Sequence, residues 1–152
     1  MAVVGILIGS KTDEPFIQPA IDILKEFKVE YELNIMSAHR KPDTVRNYAV
    51  EARGKGIEVI IAAAGSAAHL PGVVASWTTV PVIGVPLPTS DLKGVDSLYA
   101  IVQMPGGVPV ACVGIGTAGV KNAALLACQI LAIKYDSIRK AFEDYKRKMA
   151  EG

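Results

Sequence analysis

Hydrophobic residues along the chain fall into short continuous runs, separated by longer segments in which they recur every three or four positions. Continuous apolar runs are typical of parallel strands that are covered on both faces. The first run, closed by Gly9 and Ser10, is expected to form a central strand, and Pro81 and Pro86 bound the fourth. The runs predict β-strands at residues 3–8, 59–64, 82–85 and 110–113, and residues 31–35 are expected to form the second of five strands.

The segments between the runs predict helices. After Pro15, which the first turn of a helix tolerates, apolar residues recur at helical spacing as far as Phe27. Pro42 opens a second helix, which is expected to end near Gly54 and Gly56. Further helices are predicted at residues 67–76, within 91–103, at 119–131 and at 137–149.

Strands that alternate with helices predict a doubly wound α/β sandwich, in which helices cover both faces of a parallel sheet. The sequence shows no repeat of solenoid length, no low-complexity tract and no linker, so we expect one domain over residues 1–152. The last helix, at about residues 135–150, carries an apolar stripe from Ile138 to Met149. We expect this helix to pack on a neighbouring subunit.

Charge and composition narrow the range of partners. The chain has 16 Lys and Arg against 15 Asp and Glu, a net charge of +1, so no global field attracts nucleic acid or an anionic membrane. The hydrophobic fraction of 51% is high for 152 residues, because much of the surface of a small monomer is polar. This excess predicts hidden subunit interfaces.

The cysteines and the start of the chain bear on location. Cys112 and Cys128 lie among Ala, Val and Leu, which suits buried thiols in a reducing cytoplasm and not a disulfide or a metal site. Residues 1–7 carry no basic segment, so no cleavable signal is expected. No apolar run reaches the ~18 residues of a membrane-spanning helix. We expect a cytoplasmic protein that binds neither nucleic acid nor membrane.

Ligands of open parallel sheets bind beyond the carboxyl ends of the strands, and three loops belong to that edge. The first loop, residues 9–13, offers the hydroxyls of Ser10 and Thr12 and the carboxylate of Asp13 before a helix. Hydroxyls suit a phosphate and a carboxylate suits ribose hydroxyls, so this loop fits a nucleotide-like ligand. Alternatively, Thr12 or Asp13 only caps the helix.

The second loop gathers Ser37, His39, Arg40 and Lys41 directly before the helix at Pro42. The Arg40 guanidinium can donate two hydrogen bonds to one phosphate. Imidazole is the side chain suited to proton exchange near neutral pH, which makes His39 the candidate acid/base group. The alternative is a surface histidine beside ordinary helix-start charges.

The third loop, residues 65–72, consists almost entirely of small residues, so a flat ligand can approach the backbone closely at Gly65 and Ser66. His69 is a second candidate acid/base group, although packing or hydrogen bonding at a helix start is the favoured role. The Gly-rich run at residues 114–119 has the wrong spacing for a dinucleotide fingerprint and is not taken as a site.

Five motifs in a fixed order extend this pattern. Together they resemble the class I phosphoribosylaminoimidazole carboxylase catalytic subunit family of purine biosynthesis, the N5-carboxyaminoimidazole ribonucleotide mutases. The resemblance runs from residue 3 to about residue 133. The motifs are GSKTD at residues 9–13, SAHRKP at 37–42, AAHLPG at 67–72, GVDSLYAIVQMPGGVPV at 94–110 and NAALLA at 122–127.

The resemblance implies a flavodoxin-like three-layer αβα sandwich, assembled as a homo-octamer with active sites where subunits meet. It implies that His39 is the general acid/base. It also implies that Ser10, Asp13 and Arg40 bind the phosphate and ribose of a small ribonucleotide substrate. The matching positions in the rest of the pocket are Thr12, Ser37, Gly65, Ser66, His69 and Leu70.

The implied reaction moves a carboxylate from the exocyclic amine of the imidazole to a ring carbon, without ATP, metal, biotin or another cofactor. Related class II enzymes carboxylate aminoimidazole ribonucleotide directly and differ in their second and third motifs, so Arg40 and His69 favour the mutase. Thr12 and Ser66 stand where many relatives carry Ser and Gly, and Lys41 where many carry Thr. The rival functions are direct carboxylation and a non-enzymatic flavodoxin-like module that binds a mononucleotide or flavin.

Overall fold

A computed structural model describes residues 3–152. Five parallel strands form one sheet in the order β2-β1-β3-β4-β5. The first strand is therefore internal, as expected, although β3 and not β1 is the middle strand. The strands are β1 at Val4–Ile8, β2 at Tyr31–Ile35, β3 at Val59–Gly65, β4 at Val82–Leu87 and β5 at Ala111–Cys112.

The helices follow the predicted alternation, but the first begins differently. A 3-10 helix at Lys11–Ile17 comes before α1, because Pro15 and Pro19 have no N–H to donate and interrupt regular α-helical bonding. The α-helices are α1 at Gln18–Glu26, α2 at Pro42–Glu51, α3 at Leu70–Trp77, α4 at Val95–Val102, α5 at Gly116–Ala132 and α6 at Asp136–Glu151.

Side chains from the two faces of the sheet fill two separate cores. Ile6 and Ile61 pack beneath α1, α5 and α6, while Leu7 and Ile60 pack beneath α2, α3 and α4. Both faces of the sheet are therefore covered, which explains why the inner strands are apolar at every position. The predicted three-layer α/β sandwich is confirmed.

The outer strand β2 is joined to α2 by a polar contact. The Tyr48 hydroxyl donates a hydrogen bond to Glu32 over 2.7 Å, and Asn34 donates to the same carboxylate over 3.3 Å. Tyr48 crosses Gly5 of β1, where a Cβ would collide with the phenol. Burial and the hydrogen bond to Glu32 raise the pKa of Tyr48, so the phenol remains a neutral donor.

The fourth strand is longer than predicted. It continues through Pro86 to Leu87, so the boundary expected at Pro86 is wrong. The short strand β5 pairs only with Ile83 and Gly84 of β4. Pro86 thus lies where one side of β4 has no neighbouring strand, a position in which a missing N–H is tolerated.

The apolar stripe of α6 packs largely against its own subunit. Ile138 is buried, and the rings of Phe142 and Tyr145 each have their centroids 5.7 Å from that of Phe27. Met149 at the end of the stripe is exposed. Packing of this helix on a neighbouring subunit stays a prediction.

The two thiols differ in their surroundings. Cys128 is buried, and burial raises its pKa to about 12, whereas Cys112 is only partly buried. The prediction of a buried thiol is therefore confirmed for Cys128 and wrong for Cys112. The prediction about the chain start rests partly on Met1 and Ala2, which lie outside the described residues. No helix within residues 3–152 is long and apolar enough to cross a membrane.

Candidate functional site

The loops after β1, β2, β3 and β4 line an open cavity of about 490 Å³ at the carboxyl edge of the sheet. Every site residue expected from the sequence lines it except His69, which is hydrogen-bonded to the lining residue His39. The lining residues are Gly9, Ser10, Thr12, Asp13, Ser37, Ala38, His39, Arg40, Ala64, Gly65, Ser66, Ala67, Leu70 and Thr89.

Ser10 organises the first loop. Its Oγ accepts the N–H of Thr12 over 3.3 Å and lies 2.9 Å from Thr12 Oγ1, while its carbonyl accepts the N–H of Asp13 over 3.0 Å. Ser10 therefore caps the 3-10 helix. The alternative in which Thr12 or Asp13 provides the cap is wrong, and both side chains line the cavity.

Asp13 is a buried carboxylate within this cavity, with only 6% of the residue exposed. Burial raises its pKa, and a hydrogen bond with the Ser10 backbone opposes that change. No Lys or Arg among residues 3–152 forms an ion pair with it. A ligand that donates hydroxyl hydrogen bonds to Asp13 would stabilise its charge.

Ser37 builds the turn that carries the basic residues of the second loop. Its Oγ accepts the N–H of Arg40 over 3.2 Å, and its carbonyl accepts the N–H of Lys41 over 2.9 Å. The turn brings His39 and Arg40 to the cavity and leads into α2. Within residues 3–152 the Arg40 guanidinium forms no ion pair, so its donors are available to an anionic ligand.

The third loop turns sharply at Ser66, whose φ of 51° lies in the left-handed region. The Ser66 carbonyl accepts the N–H of Ala68 over 2.8 Å. The chain becomes helical only at Leu70, so the predicted helix start at residue 67 is wrong. The buried side chain of Leu70 then forms part of the cavity wall.

Thr89 is a polar cavity residue that the sequence patterns do not predict. It follows β4, and its side chain occupies the space where a Cβ at Gly65 would lie, so packing alone demands glycine there. The sequence pattern predicts a small residue at position 65 for a different reason, the close approach of a ligand. The three loops expected at this edge do not include the loop after β4, although the carboxyl end of every parallel strand reaches this edge.

His39 and His69 form a hydrogen-bonded pair. The Nε2 atom of His39 lies 2.8 Å from the Nδ1 atom of His69, and the rings meet at 83° with centroids 4.9 Å apart. One nitrogen must donate and the other accept, so the two facing nitrogens share one proton and the tautomers of the rings are linked. Hydrogen bonding, one of the two favoured roles of His69, is thus observed, with His39 as the partner.

The cavity combines the groups that a phosphorylated ribonucleotide needs. Arg40 and the hydroxyls of Ser10 and Thr12 suit a phosphate, Asp13 suits ribose hydroxyls, and His39 suits proton transfer. Among residues 3–152, no group of three or more His, Cys, Asp and Glu side chains is placed to hold a metal ion.

Residues 3–152 match the sequence model of a family described as AIR carboxylase. The chain belongs to the AIR carboxylase family. The match covers every residue of the cavity and includes the five motifs that carried the resemblance. The family membership expected from those motifs is therefore confirmed.

Several AIR carboxylase relatives carry a functional name. N5-carboxyaminoimidazole ribonucleotide mutase from Thermotoga maritima is 58% identical over 146 residues, which is 96% of this chain and 84% of the relative. The enzyme of the same name from Saccharolobus solfataricus is 56% identical over 150 residues, covering 96% and 94%. The crystal structure of Treponema denticola PurE superposes with a TM-score of 0.89 at 30% identity, covering 99% of this chain and 93% of that one.

Proposed function

We propose that this protein converts N5-carboxyaminoimidazole ribonucleotide to 4-carboxyaminoimidazole ribonucleotide in purine biosynthesis, with His39 as the general acid/base. The observation that carries the proposal is the hydrogen-bonded pair of His39 and His69 at a cavity that also holds Arg40 and Asp13. The names of the two mutase relatives, each more than half identical over nearly the whole chain, support it.

In this proposal the first two loops hold the sugar phosphate. The fork of Arg40 and the Ser10 hydroxyl bind the phosphate, and Asp13 accepts hydrogen bonds from the ribose. Thr12 and Ser37 complete this side of the pocket. The imidazole of the substrate then lies toward His39 and the small residues of the third loop.

In the proposed chemistry, His39 donates one proton to the substrate and later removes one proton from it. Protonated His39 donates to the carbamate nitrogen, the carbon–nitrogen bond breaks with its electrons going to nitrogen, and carbon dioxide and aminoimidazole ribonucleotide remain in the cavity. The ring carbon then attacks carbon dioxide, forming the new carbon–carbon bond. Neutral His39 removes the proton from that ring carbon, so the imidazole becomes aromatic again and His39 regains its starting state.

Retention of the released gas matters as much as the base. Ala38, Ala64 and Leu70 give the cavity an apolar portion, and no lining residue other than Asp13 carries a carboxylate. Carbon dioxide held beside the ring carbon reacts as an intramolecular partner, which raises its effective concentration. Exclusion of water would also prevent its loss as bicarbonate.

A second candidate function is direct carboxylation of aminoimidazole ribonucleotide. It is favoured by one relative, phosphoribosylaminoimidazole carboxylase from Schizosaccharomyces pombe, which is 54% identical over 149 residues. The match spans 98% of this chain but 27% of that protein. The same cavity would then take up carbon dioxide from solution instead of from the substrate.

One assay separates the candidates. Purified protein receives either the N5-carboxylated ribonucleotide or aminoimidazole ribonucleotide with bicarbonate, and product is followed by ultraviolet absorbance. The His39→Asn variant supplies the uncatalysed background and is expected to bind ribonucleotide without turning it over. Efficient use of only aminoimidazole ribonucleotide with bicarbonate would show that the protein is a direct carboxylase and not a mutase. Ribonucleotide binding without either reaction would favour the non-enzymatic flavodoxin-like binding module.

We further propose that the protein works as a homo-octamer in the cytoplasm, as the family resemblance implies, with its sites near subunit contacts. An apolar stripe on α4 supports this assembly: Val95, Tyr99 and Val102 are exposed on one helix face, and Tyr99 is 66% exposed. Exposed apolar residues that occur singly are ordinary, whereas a stripe is typical of an interface. The two unpaired thiols suit a reducing compartment.

A further inference from the structure

The motif at residues 94–110 is the longest of the five motifs, yet it places no side chain in the cavity. Its helix α4 contains Ser97, whose side chain is completely buried. Among residues 3–152, Asp13 is the only other buried polar side chain. Burial of a hydroxyl is unfavourable unless it is hydrogen-bonded, so the role of Ser97 lies in the bond that it makes.

Ser97 bonds to the turn in the cavity wall. Its hydroxyl donates to the carbonyl oxygen of Ser66 over 3.1 Å, and the same oxygen accepts the N–H of Ala68 over 2.8 Å. Ser66 has a φ of 51°, a conformation that persists only where the surroundings enforce it. Two donors thus fix one carbonyl at the point where the chain leaves β3.

A fixed carbonyl also fixes the neighbouring amide. The C=O of Ser66 and the N–H of Ala67 belong to one planar trans peptide group, so they point in opposite directions. Ala67 lines the cavity, and its N–H donates to no acceptor within the part of the chain that the structure describes. Ser97 therefore sets the direction of a free donor without entering the cavity.

A second contact holds α4 against the loop that follows β4. The Ser90 hydroxyl lies 2.9 Å and 3.0 Å from the two carboxylate oxygens of Asp96, and it accepts the N–H of Leu92 over 3.2 Å. The adjacent residue, Thr89, packs against Gly65. Two successive residues of helix α4 thus hold the cavity wall: Asp96 bonds to Ser90 and Ser97 bonds to Ser66.

We propose that Ser97 is a positioning residue for the reaction in this cavity, because its hydroxyl holds the peptide group between Ser66 and Ala67 in place. The proposal rests on the proposed function. A residue that fixes geometry without touching the substrate affects the transition state more than substrate binding, since small displacements of groups around the reacting atoms are costly.

The test compares Ser97→Ala with Ser76→Ala. Ser76 is the control for loss of a hydroxyl-to-carbonyl hydrogen bond, because its hydroxyl donates to the carbonyl of Val73 over 2.6 Å at an exposed position outside the cavity. We expect Ser97→Ala to lower kcat about 10- to 100-fold with little change in KM, and Ser76→Ala to keep the kcat of the unmodified protein. Ser97→Cys retains a weak donor and should show an intermediate kcat.

Hydrogen–deuterium exchange gives a readout that does not need turnover. Residues 65–69 should exchange faster in Ser97→Ala than in the unmodified protein, and at an unchanged rate in Ser76→Ala. If the unmodified protein does not act on the N5-carboxylated ribonucleotide, the proposed function is wrong. The role of Ser97 in the turn at Ser66 is still tested in that case, because hydrogen–deuterium exchange does not depend on turnover. Unchanged exchange, or a kcat equal to that of the unmodified protein, would overturn the role of Ser97. If Ser97→Ala does not fold, Ser97→Cys carries both comparisons.

Discussion

The Nε2 atom of His39 lies 2.8 Å from the Nδ1 atom of His69, although 30 positions separate the two residues in the chain. They follow β2 and β3, the two strands that flank β1. Their loops therefore meet across the end of β1, whose own loop carries Ser10 and Asp13. The strand order alone thus brings the proposed proton-transfer groups beside the proposed sugar-phosphate groups.

The histidine pair allows hydrogen bonding to be separated from proton transfer. Gln at position 39 can place an amide near the site of Nε2, and Asn at position 69 can place one near the site of Nδ1. We expect His39→Gln to abolish turnover, with a loss of about 10²- to 10⁴-fold, because an amide does not exchange protons as imidazole does. His69→Asn should retain most of the activity that His69→Leu loses. Steady-state kinetics with each variant checks this.

The thermal unfolding midpoints of the three variants provide the control. They should stay close to that of the unmodified protein, because a general loss of structure would lower activity in all three. Equal losses in His69→Asn and His69→Leu would mean that His69 does more than hold His39 by a hydrogen bond. Appreciable turnover in His39→Gln would remove His39 from the proposed chemistry.

Arg40 should contribute to substrate binding and little to stability. Its guanidinium has no ion-pair partner within residues 3–152, so Arg40→Met should leave the thermal midpoint nearly unchanged. A charge-assisted hydrogen bond contributes about 1.5–3 kcal/mol, so KM should rise about tenfold or more. Arg40→Lys keeps the positive charge but loses the two-pronged hydrogen bonding of the guanidinium. Its KM should therefore lie between that of the unmodified protein and that of Arg40→Met. Lys41→Met is the control and should leave KM unchanged.

Sequence patterns predicted the fold more completely than the site. The bounds of β2, Tyr31–Ile35, agree with the prediction, because apolar residues that alternate with polar ones between two turns specify a strand locally. The left-handed turn at Ser66 depends on a hydroxyl 31 positions away, and the contact of Thr89 with Gly65 depends on adjacent strand ends. Such contacts are set by tertiary structure and leave no local pattern. Motif resemblance supplied the site residues instead.

Replacing Asp13 with a neutral residue should raise the stability of the fold and weaken substrate binding. Burial raises its pKa in the folded chain, so the folded state holds the carboxyl proton more tightly than the unfolded state does. The contribution of this group to stability is full below its unfolded pKa and is lost as pH rises through its folded pKa. Asp13→Asn should therefore melt at a higher temperature than the unmodified protein at pH 7, with a smaller gain at pH 4. Calorimetry at both pH values measures this.

The same Asp13→Asn variant should bind substrate poorly, because a neutral amide accepts ribose hydroxyl hydrogen bonds less strongly than a carboxylate does. The expected rise in KM is about tenfold or more. A lower melting temperature at pH 7, or an unchanged KM, would contradict this view of Asp13.

Gly65→Ala should destabilise the cavity wall through a collision with Thr89. Overpacking of this kind costs about 1–3 kcal/mol, which urea unfolding can resolve. Thr89→Ala in the Gly65→Ala background should recover part of that loss, since it removes the Oγ1 and Cγ2 atoms. Gly106→Ala is the control, because a Cβ there meets nothing within 4 Å. Additive effects of the two cavity substitutions would show that the contact is not the cause.

Tyr99→Lys should weaken the proposed assembly without unfolding the chain. Tyr99 is 66% exposed in the isolated subunit, between Val95 and Val102 on the outer face of α4. An ammonium buried there without a partner costs several kcal/mol, so the assembly constant should fall more than about a hundredfold. Light scattering at assay concentration gives the mass, and circular dichroism reports whether the fold is kept.

The control for this surface is Val50→Lys, which changes an exposed apolar residue on α2, away from the stripe. Its mass should equal that of the unmodified protein. If the sites depend on subunit contacts, Tyr99→Lys should lose activity together with mass, and higher protein concentration should restore both. A monomer mass for the unmodified protein would contradict the shared-site proposal, and a full-size Tyr99→Lys assembly would show that α4 lies outside the interface.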